Sequence, residues 1–152
     1  MGVKEMQEQE QVQERRHGTQ EMINKLLSER QEVLVLFCQV AGLEPYTRTK
    51  SLENLLQSFC QILVDYTAFG HFEVFGRISN GSERRMRVIK MAEEIYPAFV
   101  EATETAVNFN DKYDLSDHQL VYDHLAEDLS ELGETLANRV ELEDKLVSCM
   151  LG

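Results

Sequence analysis

The sequence predicts an all-α fold, an antiparallel four-helix bundle with an additional short N-terminal helix or arm, on three observations. Only two prolines and eight glycines punctuate 152 residues. Long stretches are rich in Leu, Glu, Gln, Ala, Met and Arg, side chains that lose little rotamer freedom in a helix. Four of these stretches repeat apolar residues at three- and four-residue spacing, and no strand alternation or β-branched run competes with them. A single domain of this length buries roughly two thirds of the surface its unfolded chain would expose, so a core forms without staples.

Residues 1–18 are almost all polar, with only Val3, Met6 and Val12 able to pack, and read as an N-terminal arm or short helix. Residues 19–152 read as the bundle domain. Thr19 is placed to cap a first helix whose stripe is Ile23, Leu26, Leu27, Val33, Leu34, Phe37, Val40 and Ala41, ending at Gly42. After the Pro45 loop, Ser51 is a weak cap for a second helix through Leu52, Leu56, Phe59, Leu63, Tyr66, Gly70, Val74 and Ile78. Ser79-Asn80-Gly81-Ser82 marks its end. A third helix is predicted from Ser82, with Val88, Ile95, Phe99, Ala106 and Phe109 inward and a kink at Pro97. A fourth is predicted from about Leu115 to the C-terminus through Val121, Leu125, Leu129, Leu132, Leu136, Leu146 and Met150.

The charge narrows the function. Twenty-seven acidic against 15 basic side chains give a formal charge of −12, a field that repels phosphate backbones and anionic lipid. Any partner that reads this charge is basic; otherwise it serves solubility. Cys38, Cys60 and Cys149 are far apart, odd in number and fit no zinc or CxxC spacing, as expected of reduced thiols in a cytoplasmic protein. No run approaches 18 apolar residues, and MGVKEMQEQEQ lacks the apolar region of a signal peptide.

Polar residues inside the apolar stripes carry more information than the stripes. Arg30 falls on the core side of the first helix, and Arg139 and Glu143 on the core side of the last. Buried charges are costly unless paired, so Arg30 with Glu143 forms a candidate interior pair unless the long stems reach solvent. On the second helix, at about 100° per residue, Asp65 and Phe72 fall within about 20° of each other, opposite the core stripe, with Phe69 about 40° away. Aromatics beside a carboxylate make a candidate partner-binding face, provided no neighbouring helix or arm covers them.

Chemistry is thinly represented. The only Glu-x-x-His runs from Glu14 to His17, and a di-iron bundle needs two such motifs. Asp114 with His118, and His124 with Asp128, have i,i+4 spacing that suits a metal or, more commonly, an ion pair. His71 has Glu73 nearby and no lysine within a turn, unlike a phosphotransfer histidine. No glycine-flanked nucleophile or phosphate loop is present. The expectation is a protein that is not an enzyme and carries no cofactor or metal. A metal-holding bundle with a carboxylate and His site, or an adaptor for another basic or metabolic partner, is the alternative.

The segment FCQILVDYTAFGHFEVFGRI, residues 59–78, resembles the central helix of the Rsd/AlgQ family of anti-sigma factors, with its Phe-Cys-Gln, Leu-Val-Asp-Tyr and Gly-His-Phe. LGETLANRVELEDKLV, residues 132–147, is similar to that family's Gly-Glu-x-Leu and Leu-Glu-Asp-Lys-Leu, and weaker agreement extends through most of the chain. The resemblance implies a helical-bundle regulator of transcription that binds region 4 of the primary, sigma-70 class factor and withholds it from core RNA polymerase. Region 4 is a helix-turn-helix, basic where it meets phosphate, which suits the acidic surplus. The family's binding positions fall on Asp65 and Phe72. The chain departs from the family at Ala68, where a small hydroxyl residue is common, and at Phe69, where a small residue often stands.

Overall fold

A computed structural model describes residues 2–42, 51–114 and 122–152. These residues are helical nearly throughout, and no strand occurs among them. Helix α1 runs Val3–Ala41 and α2 runs Leu52–Ala68. A π-helical segment, Phe69–Phe75, and a short α3, Gly76–Ser79, continue α2 as one rod. Helices α4, Met86–Tyr113, and α5, Leu125–Leu151, complete the bundle.

Contacts between the rods fix their directions. Arg77 donates to the Arg15 carbonyl at 3.3 Å, while Phe37 and Phe59 lie 6.2 Å apart, so α1 and the second rod are antiparallel. Phe59 against Phe109 at 5.8 Å and Phe75 against Phe99 at 4.4 Å make the second rod and α4 antiparallel. Arg85 reaches the Met150 carbonyl at 2.7 Å and Tyr113 bonds Asp128 at the opposite end, which reverses α5 on α4. Arg30 meets Asp144 at 2.8 Å and Phe37 packs over Gly133, closing α5 onto α1. The result is a square of four antiparallel rods whose apolar stripes meet in one core, including Val33, Leu56, Phe59, Leu63, Val88, Phe99, Leu132 and Leu136.

The termini of the helices show why the chain turns where it does. Gly42 adopts a left-handed φ of 68° and its N–H returns to the carbonyls of Cys38 and Gln39, the usual glycine exit from a helix. Ser51 Oγ accepts from the Asn54 N–H at 3.3 Å and caps α2. The start expected at Ser82 falls instead at Met86. Asn80 Oδ1 takes the Ser82 N–H at 2.9 Å, and Glu83 takes the Arg85 N–H at 3.0 Å, so the polar side chains hold these residues in a turn. Burial pushes the Glu83 carboxyl up, but hydrogen bonds from Arg85 outweigh it and hold the group below the ordinary carboxylate range. Arg85 and Arg87 also bond the last carbonyls of α5, placing cations at a helix C-terminus.

One other expectation changes. Helix α1 passes through Gly18 and Thr19 without a break, and Thr19 is buried inside the helix rather than capping it. Residues 3–17 are nonetheless exposed throughout; apart from the Arg77 bond to the Arg15 carbonyl, the side chains of α1 bury against the bundle from Gly18 onward. Helix α4 continues across Pro97, which lies on the exposed side where water can serve the carbonyl that loses its donor. The Pro45 loop, Leu115, His118 and Val121 lie outside the described residues, and α5 begins at Leu125. The three cysteines are free thiols, and burial raises the Cys60 thiol pKa to about 12.

Candidate partner-binding face

The interior of the second rod is organised around one guanidinium. Arg139, 0% exposed, lies between the rings of Phe99, 4.2 Å from its guanidinium carbon, and Tyr66, at 4.7 Å. Its Nε donates to Glu143 Oε2 at 3.3 Å, one turn along α5, and Nη2 donates to the Thr67 carbonyl at 3.3 Å. The Tyr66 hydroxyl donates to Glu143 Oε1 at 2.5 Å. Burial raises the Glu143 carboxyl above the ordinary range, against the pull of Arg139, Tyr66 and Arg30. Arg30 lies 3.6 Å from Glu143 but makes its closer contact with Asp144, so Arg139 and Tyr66 are the principal partners of Glu143. Gly70 makes the room: a Cβ there would sit 2.5 Å from Arg139 Nη2 and 3.1 Å from Phe99.

The π segment begins one residue before Gly70 and changes what the rod presents. Phe75 turns inward against Phe99, while Phe72 is 70% exposed and forms a ridge between two grooves. One groove, of 540 Å³, lies toward α1 and is lined by Met22, Lys25, Phe69 and Arg77 among others. The other, of 680 Å³, lies toward α4 and is lined by His71, Phe75, Ile89, Ala92 and Tyr96 among others. π turns recur at functional sites because the extra residue re-aims side chains without ending the helix.

The three outer residues singled out by the wheel are therefore placed differently. Phe72 is exposed. Phe69 is half-buried, its ring under the Lys25 ammonium at 4.6 Å. Asp65 is exposed but lines neither groove. It stands close enough to Glu29 to add to the rise that burial gives that carboxyl, with Lys25 opposing. Sequence reasoning did not single out Tyr96, Met22 or Lys25 for this face. The visible signal for Tyr96 was an aromatic beside an exposed proline on the outer side of α4.

Among the described residues the histidines form no ligand set. His17 pairs with Glu21 at 3.0 Å rather than with Glu14. His124 faces Glu127 at 3.6 Å, while Asp128 turns to Lys112 at 2.7 Å and to Tyr113. Those side-chain hydrogen bonds, from Lys112 first and then Tyr113, hold the Asp128 carboxyl below its ordinary range. Among the described residues no group of three His, Cys, Asp or Glu is placed to hold a metal ion, and no helix is long and apolar enough to cross a membrane.

The described residues form an all-helical bundle whose π segment presents an exposed aromatic ridge. The model of the family described as regulator of RNA polymerase sigma(70) subunit, Rsd/AlgQ, matches residues 5–151, and the chain belongs to that family. It is 34% identical over 136 residues to the regulator of sigma D of Yersinia enterocolitica, covering 86% of this chain and 80% of that protein. It is 32% identical over 147 residues to the regulator of sigma D of Enterobacter sp. (strain 638), covering 93% and 87%. No solved structure matches it. The family is described by regulation and not by a catalytic activity.

Proposed function

We propose that this chain is an anti-sigma factor of the cytoplasm that binds region 4 of the housekeeping sigma-70 class factor and regulates transcription by keeping it from core RNA polymerase. Membership of the Rsd/AlgQ family supports a sigma(70) regulator. The observation that carries the binding mode is Phe72, a 70% exposed phenylalanine raised between two grooves on a chain of formal charge −12. Exposed aromatics that can be wholly desolvated by a partner are typical binding anchors. A helix-turn-helix supplies both an apolar contact surface and the cations that an acidic bundle attracts. Asp65 meets one of those cations, and Phe69 lines the approach beside it.

Capture of partners from a bacterial lysate on the immobilised chain tests this. The expected eluate contains the primary sigma factor without core polymerase subunits, in an amount that falls as salt is raised, because screening shortens long-range attraction to about 8 Å at physiological ionic strength. Recovery of holoenzyme would contradict sequestration. Recovery of another protein in place of sigma would make the chain an adaptor.

A further inference from the structure

The end of the bundle where α4 begins carries a charge opposite to that of the chain. Between residues 77 and 90 five basic side chains, Arg77, Arg84, Arg85, Arg87 and Lys90, stand against one carboxylate, Glu83, although acidic residues outnumber basic ones 27 to 15 overall. The fold uses three of the five. Arg77 donates to the Arg15 carbonyl, Arg85 holds Glu83 and the Met150 carbonyl, and Arg87 holds the Cys149 carbonyl. Arg84 and Lys90 are exposed, and among the described residues neither side chain pairs with a carboxylate. Exposed Arg15 and Arg16 approach from α1, which Arg77 ties to this end. Like charges gathered this closely repel, and at Arg84 and Lys90 nothing in the described fold offsets the repulsion.

The same end is apolar at its centre. Met86, 60% exposed, lies one turn from Lys90 on one face of α4. Leu151, 58% exposed, stands at the end of α5, which the Arg85 and Arg87 bonds hold against the start of α4. Exposed Glu93 and Glu94 bound the patch one turn further along α4.

Size and charge together select among anions. A phosphate polymer or an anionic membrane extends well past this end and meets the negative remainder of the chain, which repels it. A short protein segment meets the end alone, because screening confines electrostatic attraction to about 8 Å at physiological ionic strength. A second copy would have to turn an acidic flank to this end, a head-to-tail contact that repeats without closing and stacks chains of charge −12 on one another. The exposed Met86 thioether suits an apolar group set among the partner's carboxylates, since methionine adapts to varied shapes.

We propose that this end is a second docking surface, for an acidic segment of another protein with an apolar side chain among its carboxylates. Those carboxylates pair with Arg84 and Lys90, and the apolar side chain covers Met86. This partner is distinct from the basic one proposed for the Phe72 ridge, and neither requires the other.

The test follows, by fluorescence anisotropy, the binding to the full chain of a labelled peptide of about 18 residues built from glutamate and leucine at helical spacing. The expected dissociation constant is about 10–100 µM at low salt and rises with salt. Arg84→Gln with Lys90→Gln should weaken binding about tenfold and Met86→Gln about threefold, with melting temperatures unchanged because all three side chains are exposed. Lys4→Gln, near the exposed start of α1, should bind like the parent. Parent-like binding by the Arg84 and Lys90 double variant, an equal loss in Lys4→Gln, or no binding by the parent would each overturn the proposal. Tighter binding of a single-stranded RNA of about 20 nucleotides, or of phosphatidylglycerol vesicles, would give the end to phosphate and overturn it. Self-association of the parent that the double variant abolishes, read by light scattering, would give the end to a second copy, with the same consequence.

Discussion

Replacing Arg139 with alanine should cost roughly 3–5 kcal/mol of folding stability, the penalty for removing one partner of a buried charge pair. Arg139 is fully buried, gripped by the rings of Phe99 and Tyr66, and bonded to Glu143 and to the Thr67 carbonyl. Burial lowers its pKa, but the ordinary value lies so far above neutrality that the guanidinium stays charged. Without it, Glu143, 3% exposed, keeps only the Tyr66 hydroxyl and the more distant Arg30, and a void opens between two aromatic rings. For a domain of this size the loss corresponds to a melting temperature lower by about 10 °C, readable by circular dichroism. Arg139→Met with Glu143→Leu should recover much of the loss relative to Arg139→Met alone, since the second change removes the orphaned charge. A single Arg139→Ala variant that melts like the parent would mean that the buried pair contributes nothing.

Gly70→Ala should lower stability by about 2 kcal/mol, against the sign that helix propensity alone would give. In an open helical position the exchange gains roughly 0.5–1 kcal/mol. Here the new methyl would sit 2.5 Å from Arg139 Nη2 and 3.1 Å from Phe99. A flexible lysine or arginine tip on the surface would move aside, but this guanidinium is fixed by two rings, a carboxylate and a carbonyl, so overpacking wins. Denaturant midpoints of Gly70→Ala in the parent and in an Arg139→Met background separate the causes. The penalty should shrink in the second background, where the end of the side chain can yield. Equal penalties in both would place the strain in the π backbone instead.

The fold was legible because burial and period agree along most of the chain. The stripes through Ile23 and Val33, Leu56 and Leu63, Phe99 and Phe109, and Leu132 and Leu136 are all buried in one core. Boundaries were less legible where a polar side chain had two uses. Thr19 can cap a helix or sit inside one, and the apolar contacts of Ile23 and Leu26 continue a helix already formed by residues 3–17. Ser82 could begin a helix, but Asn80 takes its N–H first. The arrangement of the face was the least legible part. A wheel at a constant angle assumes α geometry, and the seven π residues from Phe69 to Phe75 break that assumption, leaving Phe69 half-buried beside Lys25 while Phe72 stays outside. The charges on the core side of α5 were visible as exceptions to its stripe. That Arg139 rather than Arg30 is the main partner of Glu143 depends on the space above Gly70, which no spacing reveals.

The dissociation constant of purified sigma-70 region 4 for Phe72→Ala, beside that for the parent chain, tests the proposed sigma-binding face most directly. Phe72 is 70% exposed, so truncation should leave the melting temperature unchanged while removing a central apolar anchor. The expected result is binding weaker by about 2 kcal/mol, roughly 30-fold, in a protein folded as well as the parent. Affinity equal to that of the parent would contradict a sigma-binding role for the Phe72 ridge and move the interface to another face of the bundle.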